Sequence, residues 1–158
     1  MISKAPYICG ALTELPVEEK EPVKAFYSQL ADICQDVLGR RAFVPHECYD
    51  PAKFAEVEDV VVYDAESSQV KNRTSLLVVV YIYPSWGGGG EIELAGDFGV
   101  PVLFLCPAGK RISRYPSGST KRKNVFQGVI VYENPNDALL KFRKWLKSHT
   151  DLLLPANP

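Results

Sequence analysis

The chain has 158 residues, 46% of them hydrophobic, and a formal net charge of −1. That length supports one domain with one substantial core, and near-neutrality argues against a binder of nucleic-acid polymers. The longest apolar runs, Leu76 to Tyr83 and Val100 to Cys106, are too short to cross a bilayer. The N-terminal residues lack the basic and long apolar regions of a signal peptide, so a cytoplasmic protein without a membrane partner is expected.

Four cysteines, Cys9, Cys34, Cys48 and Cys106, form no C-x-x-C pair, and the two histidines, His46 and His149, form no H-E-x-x-H. Reduced, largely buried thiols are therefore expected, with no metal site.

In chain order, Tyr7 to Leu12 reads as a first strand. The apolar positions from Val23 to Leu38 follow helical spacing up to a stop at Gly39. Ala42 to Val44 reads as a short second strand ended by Pro45, and Pro51 to Glu58 as an acidic connection. A helix over Asp59 to Arg73 leads to Leu76 through Ile82, whose apolar residues do not alternate, as in a central parallel strand covered on both faces. A helix from Glu91 to Phe98 stops at Gly99, and Val100 to Cys106 is a second buried strand. Residues 107–124 read as a polar, basic loop, Val125 to Tyr132 as the last strand, and Asn136 to His149 as an amphipathic helix. Strands separated by helices predict a single-domain α/β three-layer sandwich with a five-stranded parallel sheet, flavodoxin- or Rossmann-like. The domain is expected over residues 1–150, followed by a proline-rich tail over 151–158.

The most informative segment runs from Ile82 to Gly99, where a buried strand yields to a helix through Gly87-Gly-Gly-Gly90. Open α/β sheets bind ligands at such an edge. A P-loop would need Lys and Ser or Thr where Glu91 and Ile92 stand, and no glycine spacing here satisfies G-x-G-x-x-G. What remains is a bare loop followed by an acidic first helical turn, which repels phosphate and favours positive charge developing on a sugar. Glu91 then reads either as a nucleophile, held anionic by the helix dipole, or as an ordinary acidic first-turn residue, a part that Glu93 could also play.

Tyr7-Ile-Cys-Gly10, with Pro84-Ser85-x-Gly87-x-Gly89-x-Glu91-x-x-x-Ala95-x-x-x-Gly99-x-Pro101, resembles the nucleoside 2-deoxyribosyltransferase family. The pattern is most similar to its 2′-deoxynucleoside 5′-monophosphate N-glycosidase branch, loosely over residues 5 to 145. The resemblance implies cleavage or transfer at an N-glycosidic bond, with Glu91 attacking the anomeric carbon to form a glycosyl-enzyme. It implies no cofactor, a small-molecule nucleoside or nucleotide as partner, and a homodimer or higher homo-oligomer.

By the same resemblance, Tyr7 positions the reacting carboxylate, Ser85 contacts a ligand phosphate, and Ser113 and Arg114 belong to a loop that supplies phosphate contacts, often to a neighbouring subunit. Taken without it, Tyr7 is a core aromatic, Ser85 a turn residue and the basic loop a solvated surface. Gly10, Gly87 and Gly89 would let backbone approach the ligand. Ala11 and Leu12 replace the more polar turn that would help to hold a phosphate. His46 is a candidate for touching base or sugar, or a capping histidine; Trp86 is a candidate for stacking on a base or for a subunit contact.

The family's general acid is an aspartate on the helix before the central strand, and an ungapped alignment puts Ser67 there, with Asp64 and Glu66 nearby. The acid is thus unassigned: Asp64 lies about one turn before Ser67 and shares its face, which makes it the candidate, with Glu66 or no acid as the alternatives. Two other readings accompany the glycosidase: a nucleotide-binding sensor that has lost efficient chemistry, motivated by Ser67, and an NAD-type glycohydrolase using the same glutamate.

Overall fold

The computed structural model describes residues 3–153. Strand β1 (Ala5–Gly10) feeds a long helix α1 (Val17–Leu38), which starts one and a half turns earlier than its apolar spacing suggested and ends at Gly39 in the left-handed conformation (φ 69°). Helix α2 (Pro45–Tyr49) takes Pro45 at its first position, where the missing N–H costs nothing. Helix α3 (Asp59–Ser68) continues through a π-helical turn over Gln69–Arg73 into β2 (Thr74–Val80). Then follow α4 (Trp86–Asp97), β3 (Val102–Pro107), α5 (Arg114–Arg122), β4 (Phe126–Tyr132), α6 (Pro135–Ser148) and α7 (Thr150–Leu153).

Among the described residues the sheet has four strands in the order β1-β2-β3-β4, all parallel, not the five expected. The Ala42–Val44 segment contributes only a parallel bridge between Phe43 and Tyr7, closed by Ile8 N–H to Phe43 O (2.9 Å) and Phe43 N–H to Pro6 O (2.8 Å). Pro45 starts α2 immediately afterwards, so pairing stops after one residue. Its side chains still alternate as a strand's do: Ala42 and Val44 join one core cluster and Phe43 packs against the other.

The sheet is covered on both faces, which is why its strands read as unbroken apolar runs. Ile8, Leu76, Val78, Leu103 and Leu105 pack against α1 and α6, while Tyr7, Cys9, Leu77, Val79 and Phe104 pack against α4 and the π-turn. With Phe43 on the outer side of β1, the chain leaves β1 in one direction across the sheet and β2 in the other. The crevice between their carboxyl ends is the topological switch point.

Two further expectations change. Residues 107–124 are not wholly a loop, because α5 occupies Arg114–Arg122. Residues Thr150–Leu153 form a helical turn with Leu153 buried, and the rest of the expected tail, 154–158, lies outside the described residues.

Candidate active site

The four glycines are helical rather than a loop. Ser85 is the N-cap of α4, its Oγ accepting the Gly88 N–H at 3.1 Å, and the helix runs from Trp86. Glu91 therefore lies in the second turn, beyond the strongest part of the helix dipole, so the expected first-turn stabilisation of its anion does not carry over. Gly88 is the one glycine of the four that intramolecular packing requires: a Cβ there would meet Cys9 Sγ at 3.2 Å and Ser85 Cβ at 3.3 Å, whereas Gly87, Gly89 and Gly90 face open space.

Glu91 lies at the head of a cavity of about 390 Å³ at the switch point, a size suited to a small molecule. The end of β1 supplies Gly10 and the loop after it Ala11, Thr13 and Glu14; α2 and its end supply Pro45, Tyr49 and Pro51; α3 supplies Val62 and Glu66; the α4 start supplies Ser85, Trp86 and Gly87.

Tyr7 is fully buried in β1, on the α4 side of the sheet, and its hydroxyl donates to Glu91 Oε1. Phe43 packs on its ring at 5.1 Å, so the single-residue second strand fixes the phenol that holds the carboxylate. Burial pushes the Glu91 carboxyl above its ordinary range, and hydrogen bonds from Cys9 and Tyr7 oppose the rise. Burial and the Glu91 charge also push the Tyr7 phenol far above the usual tyrosine value, so it remains a donor.

Beside Glu91 the cavity holds Glu14 and Glu66, and Glu66 is pushed up to about 7 by burial first and the Glu91 charge second. Two carboxyl groups whose environments push them upward in one cavity divide naturally into a protonated and an ionised partner. Asp64, the candidate acid, is exposed on α3 and does not line the cavity, whereas Glu66 does. The sequence carried a signal for this: Val62, Glu66 and Val70 are spaced by four, which places Glu66 on the inward stripe of the helix.

The remaining candidates divide. Gly10, Ser85, Trp86 and Gly87 line the cavity with Glu91; Trp86 is 97% exposed at its rim. Gly10 has a reason beyond ligand approach, since a Cβ there would collide with the Tyr27 phenol, which donates to Ala11 O at 2.9 Å. Gly89 and Ser113 line a smaller adjoining hollow of about 210 Å³ on the other side of Gly88. Ser113 Oγ is 2.9 Å from the Tyr81 hydroxyl, which ties the start of α5 to the end of β2. Arg114 lies outside both spaces.

His46 is buried behind the wall rather than in it. Its Nε2 is 3.4 Å from Ser28 Oγ, its ring is 6.1 Å from Tyr27, and burial lowers its pKa. The wall residues Tyr49 and Pro51 flank Asp50, which is buried and accepts from Lys24 Nζ of α1 at 2.6 Å. Sequence reasoning did not find Glu14, Tyr49 or this ion pair, because each depends on where the α1–α3 connections fold back. Among the described residues no three His, Cys, Asp or Glu side chains group as metal ligands, and no helix is long and apolar enough to span a membrane.

No family model matches the sequence, and no curated protein matches it. In three dimensions the chain is similar to the CMP N-glycosidase of Clostridium botulinum, with a TM-score of 0.57 and 16% identity, covering 89% of this chain and 99% of that one. It is similar to a conserved protein of Enterococcus faecalis to the same degree, with a TM-score of 0.57 and 17% identity, covering 92% and 100%. At such identities the likeness concerns the fold alone, an α/β sandwich with a parallel sheet.

Proposed function

We propose that the protein cleaves or exchanges the N-glycosidic bond of a nucleoside or nucleoside 5′-monophosphate through Glu91. The observation that carries this reading is the pairing, in one cavity at the switch point, of a carboxylate held by a buried tyrosine with a second carboxyl raised to about 7. Tyr7 occupies Oε1 and leaves Oε2 to attack C1′. As the C1′–Oε2 bond forms and the bond to the base breaks, the protonated Glu66 gives its proton to the departing nitrogen base. The resulting Glu66 carboxylate then takes a proton from water or from an acceptor base. That nucleophile attacks C1′ and frees Glu91.

The alternative, a ligand sensor without efficient chemistry motivated by Ser67, predicts tight nucleotide binding with no base release. The test is base release from a panel of nucleosides, deoxynucleosides and their 5′-monophosphates, run with and without an added acceptor base. Release is expected from the wild type and not from Glu91→Ala; equal release by both sinks the assignment.

A further inference from the structure

Burial by itself favours the neutral acid form of Glu91, which cannot attack C1′. The ionisable groups around it are Tyr7 and Cys9 from β1, Glu66 from α3 and Glu14 from the loop after β1. The two acids add like charge when they ionise, so the anion depends on its donors. Among the described residues these are two side chains of one strand. Tyr7 already has a part in the reaction, and Cys9 has none.

Cys9 follows Tyr7 by two residues on β1, so both side chains leave the same face of the strand and meet α4. It is 1% exposed. A Cβ on Gly88 would stand only 3.2 Å from Cys9 Sγ, so the bare backbone of α4 comes down onto the sulfur where a side chain would crowd it. Gly88 lies three residues before Glu91, about one helical turn, which puts the carboxylate on the face that the sulfur supports. Two acceptors compete for the thiol hydrogen. Gly88 O lies 4.0 Å from Sγ, a long contact even for sulfur, whereas the Glu91 carboxylate is charged and accepts more strongly. Burial and the Glu91 charge hold the thiol well above its ordinary range, so it keeps its proton and does not compete for C1′.

We propose that Cys9 is a positioning residue for the nucleophile: its sulfur seats the start of α4 at Gly88, and its thiol donates to the Glu91 carboxylate alongside the Tyr7 hydroxyl. The effect on rate rests on the glycosidase reading; the effect on the carboxylate does not.

The experiment titrates Glu91 directly, by carbon-13 NMR of the full chain labelled at the glutamate side-chain carboxyl, with the Glu91 signal assigned by its loss in Glu91→Gln. Wild type, Cys9→Ala and Cys9→Ser are compared. Losing one donor to a buried carboxylate is expected to move the Glu91 midpoint up by about one pH unit in Cys9→Ala, while Cys9→Ser keeps a donor and stays within about half of that. Gly88→Ala crowds the sulfur from the helix side and is expected to raise the midpoint as well, which covers the case of a Cys9→Ala chain that does not fold. In base release, the acid limb of the kcat/KM profile should move with the NMR midpoint, up in Cys9→Ala and back in Cys9→Ser. A midpoint that neither Cys9→Ala nor Gly88→Ala moves overturns the proposal. An equal rise in Cys9→Ala and Cys9→Ser overturns it too, since packing then accounts for the whole effect. A midpoint that follows the expected order with no base release from any chain, the wild type included, would sink the glycosidase reading and leave the positioning of Glu91 standing.

Discussion

Replacing Glu66 with Gln separates its part from that of Glu91 by the effects on stability and on rate. In the folded chain Glu66 is raised from 4.5 to about 7 by burial and by Glu91, while in the unfolded chain it titrates near its ordinary value. Between these pH values the unfolded chain holds fewer protons than the native one, so stability falls as pH rises through the window and stays lower above it. The full rise corresponds to about 3.4 kcal/mol; allowing for the partial exposure of Glu66, roughly 1–3 kcal/mol is expected. Glutamine copies the protonated acid in shape and never ionises. Glu66→Gln is therefore expected to match the wild type in stability near pH 4.5 and to exceed it by roughly 1–3 kcal/mol at pH 8, measured by urea denaturation at each pH. The same substitution removes the proton donor, so kcat/KM at pH 7 is expected to drop by about 10²–10⁴-fold, and the alkaline limb of the pH–rate profile near 7 should disappear. A stability difference that does not change with pH would refute the burial and charge coupling; an unaltered alkaline limb would refute the assignment of the acid.

Tyr7→Phe removes the donor to Glu91 Oε1 while keeping the ring packed on Phe43, so a loss of about 10–100-fold in kcat/KM is expected with the fold retained, read by steady-state kinetics and circular dichroism. Gly10→Ala places a methyl group against the Tyr27 phenol and should cost about 1–3 kcal/mol; Gly90→Ala faces open space inside α4 and should add about 0.5–1 kcal/mol, both by chemical denaturation. Lys24→Met leaves Asp50 charged and buried, so about 3–5 kcal/mol of stability should be lost at pH 7. Burial pushes the Asp50 carboxyl up, but the Lys24 ammonium and then the Ala52 N–H hold it below its usual range, a contribution present above that range and lost as pH falls, so the gap between variant and wild type should close in acid. A penalty undiminished at low pH would show that packing, not charge, is responsible.

The parallel sheet was legible because both faces are covered, which makes Thr74–Val80 and Val102–Pro107 read as apolar runs unlike any surface strand. The missing fifth strand was not, since Ala42 to Val44 has the residues of a strand and fails only because Pro45 starts a helix at once. Glu91 was legible from its place after the glycines, but its environment was misread. Taking the glycines as a loop put the carboxylate in a first turn, when the helix capped by Ser85 in fact begins at Trp86. The choice between Asp64 and Glu66 turns on helix phase. Val62 and Val70 set that phase, and it turns Glu66, not Asp64, toward the cavity.

A helix that opens with four glycines is poorly stabilised in isolation, since each interior glycine costs up to about 1 kcal/mol relative to alanine. In α4 the compensation comes from its second half, where Ile92 and Ala95 are buried against Val79 and Phe104 of the sheet. Glu91 stands at the junction, one residue before the first anchored position and directly after the last bare one. That placement lets three open glycine positions leave room over the backbone beside the cavity, while the carboxylate itself is held by the anchored turn and by the Tyr7 hydroxyl. The two ends of that hold have different origins. Ile92 belongs to the helix, and Tyr7 to the strand across the switch point. Bringing a ligand between β1 and β2 thus brings it to the place where the sheet and the helix both fix the same carboxylate.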